Sequence, residues 1–242
     1  LPVDAAVGEG DVRLPIIMYH GILKEEKRQG KFVISPAQFE DDLQYLQEQG
    51  YTTVVMADVI DFVLNGTPLP EKPVMLTFDD GYYNDYVYAY PLLKKYNSKM
   101  VFSPIGRYVD QYSDSDERNA NYTHATWDDI NEMIASGLVE VQNHTYNMHA
   151  NQGGRKGCMR KKGEPVALRE DVGKMQSRME EMTGVIPTTF VYPFGAISKE
   201  ARPVLKELGF QATLVCESRT NTLTDDPECL YGLGRYLRPS GI

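Results

Sequence analysis

Short apolar runs alternate with amphipathic stretches along the whole chain, about seven times, as in repeated strand–helix units. Such units build a mainly parallel sheet, either as a barrel or as an open doubly wound sheet. Strands are predicted over residues 14–19, 52–55, 74–80, 99–105, 138–141, 188–192, 212–215 and 233–237. Helices are predicted over residues 36–49, 59–64, 85–96, 126–137, 165–183 and 198–208, and residues 107–125 are predicted to be a polar loop. The pattern therefore predicts an α/β fold.

The 242 residues are predicted to form a single domain, 1–242, because we find no internal repeat, low-complexity segment or linker. A formal charge of −9 argues against a nucleic-acid partner, since phosphate neutralisation needs clustered Lys and Arg. No apolar run approaches the ~18 residues that a membrane span needs. The chain shows no signal peptide and starts at Leu1 without Met, so we expect that a leader or anchor has been removed or omitted.

The apolar strand that starts at Val74 ends in Asp79-Asp80-Gly81. Two adjacent carboxylates repel one another unless a cation or hydrogen bonds absorb the charge. On its own this tripeptide is also typical of a simple turn. Because it follows a strand, where ligands and catalytic groups of α/β proteins collect, it is a candidate for a metal or catalytic site.

A second polar segment, Gln142–His149, follows the next but one predicted strand and contains His144 and His149. Imidazoles bind borderline divalent metals well, although two loop histidines alone are often only polar surface residues. Asp, His and His together make an open three-ligand metal site plausible.

These segments carry a resemblance to a known family. Thr77-Phe78-Asp79-Asp80-Gly81, with the later Tyr90-Pro91-Leu92-Leu93-Lys94-Lys95-Tyr96, resembles the first motif and following helix of the polysaccharide deacetylases, carbohydrate esterase family four. His-Thr-x-x-x-His resembles their second motif, and Tyr192-Pro193-Phe194-Gly195 resembles their third. Met18-Tyr19-His20-Gly21 is similar to the opening of the subgroup that acts on poly-N-acetylglucosamine in biofilms. The resemblance extends from residue 14 to about residue 240.

The resemblance implies a distorted (β/α) barrel of about seven parallel strands. It also implies one divalent ion, zinc in first place with cobalt, nickel or iron as alternatives, held by Asp80, His144 and His149. Asp79 would be the general base, and the main-chain N–H of Phe194 would stabilise the oxyanion. The substrate would be an N-acetylated polysaccharide, and the protein would be a secreted or cell-surface bacterial monomer.

Three departures from the family pattern bear on these roles. The two His lie five residues apart rather than four, as in the biofilm subgroup. Val191 takes the place of the Arg that usually opens the third motif. No late His is present to act as general acid, which leaves Asp79 or His20, at the end of the first strand, as candidate proton donors. The remaining His124 lies in a polar stretch and is expected to be solvated.

Several questions stay open at this level. Cys216 and Cys229 could form a disulfide that leaves Cys158 over, or all three could be reduced. Trp127 and the sixteen Tyr include candidate sugar-stacking surfaces, and the Gly- and Lys-rich residues 150–164 are either a solvated loop or a substrate lid.

Other functions also remain open. A non-catalytic carbohydrate-binding protein on the same fold, an acetyl-xylan O-deacetylase and an aspartyl-phosphate phosphatase are the alternatives to N-deacetylation. Poly-N-acetylglucosamine, peptidoglycan, chitin and acetylated xylan all remain compatible substrates.

Overall fold

A computed structural model of the chain describes residues 10–149, 151–152, 155–156, 164–197 and 200–241. Its strands are β1 (Val12–Leu14), β2 (Ile16–Tyr19), β3 (Gly21–Ile22), β4 (Val33–Ile34), β5 (Thr52–Thr53), β6 (Pro73–Asp80), β7 (Met100–Pro104), β8 (Val139–Val141), β9 (Asn151–Gln152), β10 (Arg155–Lys156), β11 (Thr189–Val191), β12 (Ala212–Leu214), β13 (Asn221–Leu223), β14 (Tyr231–Leu233) and β15 (Tyr236–Leu237). Its α-helices are α1 (Pro36–Glu48), α2 (Met56–Asn65), α3 (Tyr90–Tyr96), α4 (Gly106–Ser113), α5 (Trp127–Ala135), α6 (Glu164–Thr183) and α7 (Ala201–Glu207).

Two parallel sheets form the centre of the fold. One has the order β15-β2-β6-β7-β8, with β5 also paired to β6, and the other has the order β11-β12-β14. The sheets adjoin at a parallel bridge between Asn143 and Phe190. They adjoin again where the chain passes from β14 to β15 through Gly234 and Arg235. This arrangement confirms the α/β class and the parallel strands, with breaks in the hydrogen-bond ladder that distort the barrel.

The inner core confirms that the two sheets enclose a common space. Six parallel strands contribute buried side chains to a single apolar cluster, which includes Ile16, Met75, Val101, Val191, Ala212, Leu214 and Leu233. Side chains on the other face of these strands, such as Phe78 and Phe102, pack against helices in a second apolar cluster. Residues of a strand alternate between two faces, so β6 and β7 are buried on both.

Two helix starts form as their sequences predict. Ser35 caps α1 by accepting a hydrogen bond from the Gln38 N–H, and the Gln38 side chain accepts one from Ser35 N–H. Thr126 and Asp129 form the same reciprocal box at α5. Each box satisfies main-chain donors that the first helical turn leaves free, which fixes where the helix begins.

The prediction of a loop over residues 107–125 is wrong for residues 107–113, which belong to the helix α4. Its inward face carries Val109 and Tyr112, three residues apart, and both are buried. Asp110 on the same helix accepts a hydrogen bond from the Trp127 indole at 2.8 Å. The helix is therefore stabilised by contacts with α5 that its polar sequence does not reveal.

Candidate metal and catalytic centre

All six residues predicted for the site line one cavity of about 600 Å³: His20, Asp79, Asp80, His144, His149 and Phe194. They lie at the carboxyl end of β6 or in the segments that follow β2, β8 and β11, and these strand ends open on the same face of the two sheets. Parallel strands bring their carboxyl ends to one rim, so residues far apart in sequence converge there. A cavity of this volume is of the size that holds small ligands.

Asp80, His144 and His149 form a compact cluster in this cavity. Oδ1 of Asp80 lies 3.3 Å from Nε2 of His144 and 3.3 Å from Nε2 of His149. One ligand atom from each residue lies within 4.8 Å of the other two. Burial would raise the pKa of Asp80, but the two imidazoles hold it well below its usual value. The carboxylate therefore stays ionised, as a metal ligand must be.

The orientation of His144 suits it to bind a metal. Its Nδ1–H donates a hydrogen bond of 2.8 Å to the main-chain oxygen of Val191, on the neighbouring strand β11. This bond orients the ring so that Nε2 faces Asp80, and loss of the proton on Nε2 frees that nitrogen to bind a metal. Oδ1 of Asp80 is buried and accepts no hydrogen bond. Two ring nitrogens and a carboxylate oxygen thus converge on one point, and this donor set fits zinc and similar ions.

Unusual backbone geometry is concentrated at this site. Among the described residues other than glycine, four have positive φ, and three of them are Asp80 (72°), Thr145 (71°) and Phe194 (57°). Such conformations are unfavourable for residues with a Cβ and persist where the surrounding structure holds them. Thr145 is held by the Asn143 side chain, which accepts a hydrogen bond from the Thr145 N–H at 2.9 Å.

Gly81 allows the chain to turn directly after the two carboxylates. Its φ is +81°, and a Cβ built there would lie 2.6 Å from the Cβ of Pro104 on β7. No side chain fits this approach, so glycine is required both by conformation and by space.

Asp79 is paired with a buried arginine. Arg235 has no exposed surface, and its guanidinium donates hydrogen bonds of 2.7 and 2.9 Å to the two oxygens of Asp79. Its Nε also donates to the main-chain oxygen of Val215 at 2.9 Å. Burial would raise the pKa of Asp79, but the guanidinium and the nearby imidazoles hold it below its usual value. Asp79 is therefore an ionised carboxylate in a nearly dry site.

Sequence reasoning missed Arg235. Val191 stands where the family's third motif has an Arg, and in the structure the guanidinium of Arg235 reaches Asp79 from the turn between β14 and β15. The signal was an Arg within the short predicted strand 233–237, because a buried Arg needs a carboxylate partner.

Asp171 on α6 is a second functional residue that the sequence did not reveal. Its two oxygens accept hydrogen bonds from the main-chain N–H groups of Tyr146 and Asn147, at 2.8 and 2.9 Å. These bonds anchor the segment between His144 and His149 to a long helix. Asp171 thereby positions both histidines without facing the cavity.

His20 reaches the cavity as its place after the first strand predicts. Its ring packs edge-on against Phe32, with the ring centroids 4.9 Å apart, and its buried Nδ1 has no hydrogen-bond partner. Burial lowers the pKa of His20, while Asp79 and Asp80 act in the opposite direction. The ring is therefore neutral in the resting site, with a polar atom available to a ligand.

Phe194 lies in the 3₁₀ turn Pro193–Gly195 at the rim of the cavity. Its ring packs against that of His149, with the centroids 4.3 Å apart. The N–H groups of Gly195 and Ala196 donate to main-chain oxygens, which removes those two from any role in binding an oxyanion.

Two expectations about aromatic and histidine surfaces are wrong. His124 is buried, not solvated, because its ring lies among those of Tyr82, Tyr108 and Tyr112. Burial accordingly lowers the pKa of His124 to about 4. Trp127 is also buried and offers no face to a sugar.

The structure describes two of the three cysteines. Cys216 and Cys229 are both free thiols, so the disulfide between them does not form. Cys158 and most of the candidate lid, residues 150–164, lie outside the described residues. None of the described helices is both long and apolar enough to cross a membrane.

Comparison with known proteins agrees with this geometry. The family model for polysaccharide deacetylase matches residues 66–213. A poly-beta-1,6-N-acetyl-D-glucosamine N-deacetylase of Escherichia coli (strain K12) is 30% identical over 225 residues, which cover 84% of this chain and 34% of that protein. The chain thus spans about a third of the length of this relative.

Two solved structures are similar over nearly the whole chain. IcaB from Ammonifex degensii superposes with a TM-score of 0.82 and 28% identity, covering 94% of this chain and 92% of that one. A de-N-acetylase from Aggregatibacter actinomycetemcomitans gives a TM-score of 0.80 and 29% identity, with 96% and 97% covered. These similarities confirm the predicted deacetylase-type barrel.

Proposed function

The chain belongs to the polysaccharide deacetylase family, and we propose that it hydrolyses N-acetyl groups of an N-acetylglucosamine polymer and releases acetate. The observation that carries the proposal is the convergence of Asp80, His144 and His149 beside a buried, ionised Asp79. The Escherichia coli relative is named for its action on poly-β-1,6-N-acetylglucosamine, and we propose this polymer as the first candidate substrate. Because such a polymer lies outside the cell, we propose an extracellular or cell-surface location for the protein, and we propose that it acts as a monomer.

We assign Asp80, His144 and His149 as the ligands of one divalent ion, with zinc first and cobalt, nickel or iron as alternatives. When bound, the ion supplies Lewis-acid polarisation of the acetamide carbonyl and lowers the pKa of water.

Asp79 acts as the general base. It accepts a proton from the water whose oxygen forms the new bond to the carbonyl carbon. Arg235 keeps this carboxylate ionised and fixes its two oxygens, so that the base is ready at neutral pH. Arg235 is a positioning residue, since it acts through Asp79.

The later steps need an oxyanion donor and an acid. The main-chain N–H of Phe194 is our candidate for stabilising the oxyanion, as the resemblance implies. When the carbon–nitrogen bond breaks, the leaving amine takes a proton. We assign this donation to His20, whose ring lines the same cavity and which, being neutral in the resting site, first takes up the proton that Asp79 accepted from water; direct return of that proton by Asp79 is the alternative.

Two competing functions lose their support in this geometry. The missing third-motif Arg and late His suggested a non-catalytic protein, but Arg235 lies beside Asp79 and His20 lines the same cavity. An aspartyl-phosphate phosphatase needs its nucleophilic and acid Asp two residues apart, whereas Asp79 and Asp80 are adjacent, and it would leave the two histidines beside Asp80 without a role.

The experiment that tests the proposal measures acetate release from poly-β-1,6-N-acetylglucosamine, peptidoglycan, chitin and acetylated xylan, together with bound metal per chain. Asp79→Asn should retain the metal and lose about 10²- to 10⁴-fold in turnover, the cost of removing a general base. Asp80→Asn should lose the metal itself. Asp41→Asn, which removes a carboxylate from the exposed face of α1, is the matched control and should change neither quantity.

Release from acetylated xylan but from none of the N-acetylated polymers would make the protein an O-deacetylase. Equal metal loss in Asp79→Asn and Asp80→Asn would refute the division of labour between them.

A further inference from the structure

One wall of the catalytic cavity is built by the segment from Gly21 to Val33, and it is cationic. Arg28, Lys31 and Phe32 of this segment line the cavity together with the catalytic groups. The only carboxylates among the lining residues are the buried Asp79 and Asp80. The outer wall of the cavity is therefore positive, although the whole chain carries a formal charge of −9.

The two cations differ in how far their charge is compensated. Arg28 forms an ion pair with Glu25 at 3.3 Å, which offsets part of its charge. The Lys31 ammonium lies 5.2 Å from the centre of the Phe32 ring, and among the described residues it forms no ion pair with a carboxylate. Lys31 thus presents the less compensated charge to a ligand in the cavity.

Lys31 also lies near the reacting groups. Phe32 connects the two, because its ring contacts both the Lys31 ammonium and the His20 ring, the latter at 4.9 Å between centroids. A polymer bound with one sugar at Asp79 and His20 would place an adjoining sugar unit beside Phe32 and Lys31. The exposed Phe32 ring offers that unit an apolar face.

The chemistry of the reaction gives this charge a consequence. Deacetylation converts a neutral acetamide into an amine that is protonated near neutral pH, so each turnover adds a positive charge to the polymer. We propose, on the basis of the proposed function, that Lys31, supported by Arg28, makes the cavity discriminate against sugars that are already deacetylated. The enzyme would then avoid sites next to its own products and leave the deacetylated units spaced along the polymer.

The remote negative charges of the protein do not cancel this effect. At physiological ionic strength the Debye length is about 8 Å, so distant carboxylates are screened more strongly than a cation that touches the bound chain. Exposed charge pairs typically change an equilibrium by about two- to fivefold, which is the size of discrimination expected for Lys31.

The test compares kcat/KM for two N-acetylglucosamine oligomers of equal length, one fully acetylated and one with a single free amine next to the scissile unit. The wild-type protein should favour the fully acetylated oligomer by about two- to fivefold, and the preference should shrink at high salt. Lys31→Met should abolish most of this preference, and Lys31→Glu should reverse it.

Lys27→Met is the matched control, because Lys27 lies on the same segment, pairs with Glu25 and does not line the cavity. It should retain the wild-type preference. Equal kcat/KM for the two oligomers in the wild-type protein, or the same preference in Lys31→Met, would overturn the proposal. So would a loss of preference in Lys27→Met, which would indicate general surface charge instead of the cavity wall.

Binding separates this proposal from the proposed function. Affinities of Asp79→Asn for the same two oligomers should show the same order without any turnover. If the wild-type protein released no acetate from either oligomer, the deacetylase function would fail, and the binding preference alone would decide the role of Lys31.

Discussion

Replacing Arg235 by Met should destabilise the protein far more than the loss of an ordinary ion pair. Arg235 has no exposed surface, and Asp79 accepts two of its hydrogen bonds, at 2.7 and 2.9 Å, in an equally buried position. Removing one partner leaves the other charge buried without compensation, which costs about 3–5 kcal/mol. A domain has about 5–15 kcal/mol of stability in total, so the variant should fold with a much reduced margin.

The assay is urea unfolding at pH 7 followed by circular dichroism, with a chelator present so that metal affinity does not contribute. With a urea dependence of about 3 kcal/mol per M, the midpoint should fall by about 1 to 2 M. Arg169→Met is the matched control: Arg169 pairs with Glu207 on the surface, with side chains 48% and 59% exposed. Its effect should stay below about 1 kcal/mol.

A double-mutant cycle identifies the cause. Asp79→Asn combined with Arg235→Met removes both charges, so the double variant should be more stable than the sum of the single effects implies, by about 2–3 kcal/mol. Strict additivity, or an Arg235→Met effect no larger than that of Arg169→Met, would refute the view that a compensated buried pair holds Asp79.

Three further outcomes are expected. His20→Gln should sharply reduce acetate release while metal content and thermal stability stay nearly unchanged; full activity or early unfolding would contradict a role in proton transfer. Gly81→Ala should lower the melting temperature by roughly 5 to 15 °C, because a Cβ would lie 2.6 Å from that of Pro104 at a φ of +81°. Burial alone would raise the pKa of Asp110. Hydrogen bonds from groups such as the Trp127 indole outweigh that effect, so the pKa of Asp110 lies below its usual value. The resulting stability should be present above about pH 4 and be lost as the pH falls further. Asp110→Asn should flatten this acid dependence in unfolding experiments, and an unchanged acid profile would refute the assignment.

The parts of the site that lie in local patterns could be predicted from the sequence. Asp80 and His144 each follow an apolar strand, and parallel strands bring such ends to one rim, so their convergence follows from topology. The caps at Ser35 and Thr126 are likewise local, because each depends on a partner only three residues away. These features need no knowledge of distant packing.

The parts that the sequence could not predict depend on long-range contacts. Arg235 and Asp79 are 156 residues apart, and nothing near either residue identifies the other. The helix α4 has a polar sequence and is stabilised by its packing against α5. His124 looked like a solvated loop residue because Tyr82 is distant in sequence and the helix α4, which carries Tyr108 and Tyr112, was not predicted.

The most direct test of the metal centre is a titration of metal-free protein with zinc, in which acetate release from poly-β-1,6-N-acetylglucosamine and bound metal are followed together. If Asp80, His144 and His149 hold one catalytic ion, activity should be absent without metal, rise in proportion to added zinc and level off at one ion per chain, and His149→Ala should bind zinc far more weakly. Full activity in metal-free protein, or tight binding of one zinc by His149→Ala, would contradict the account.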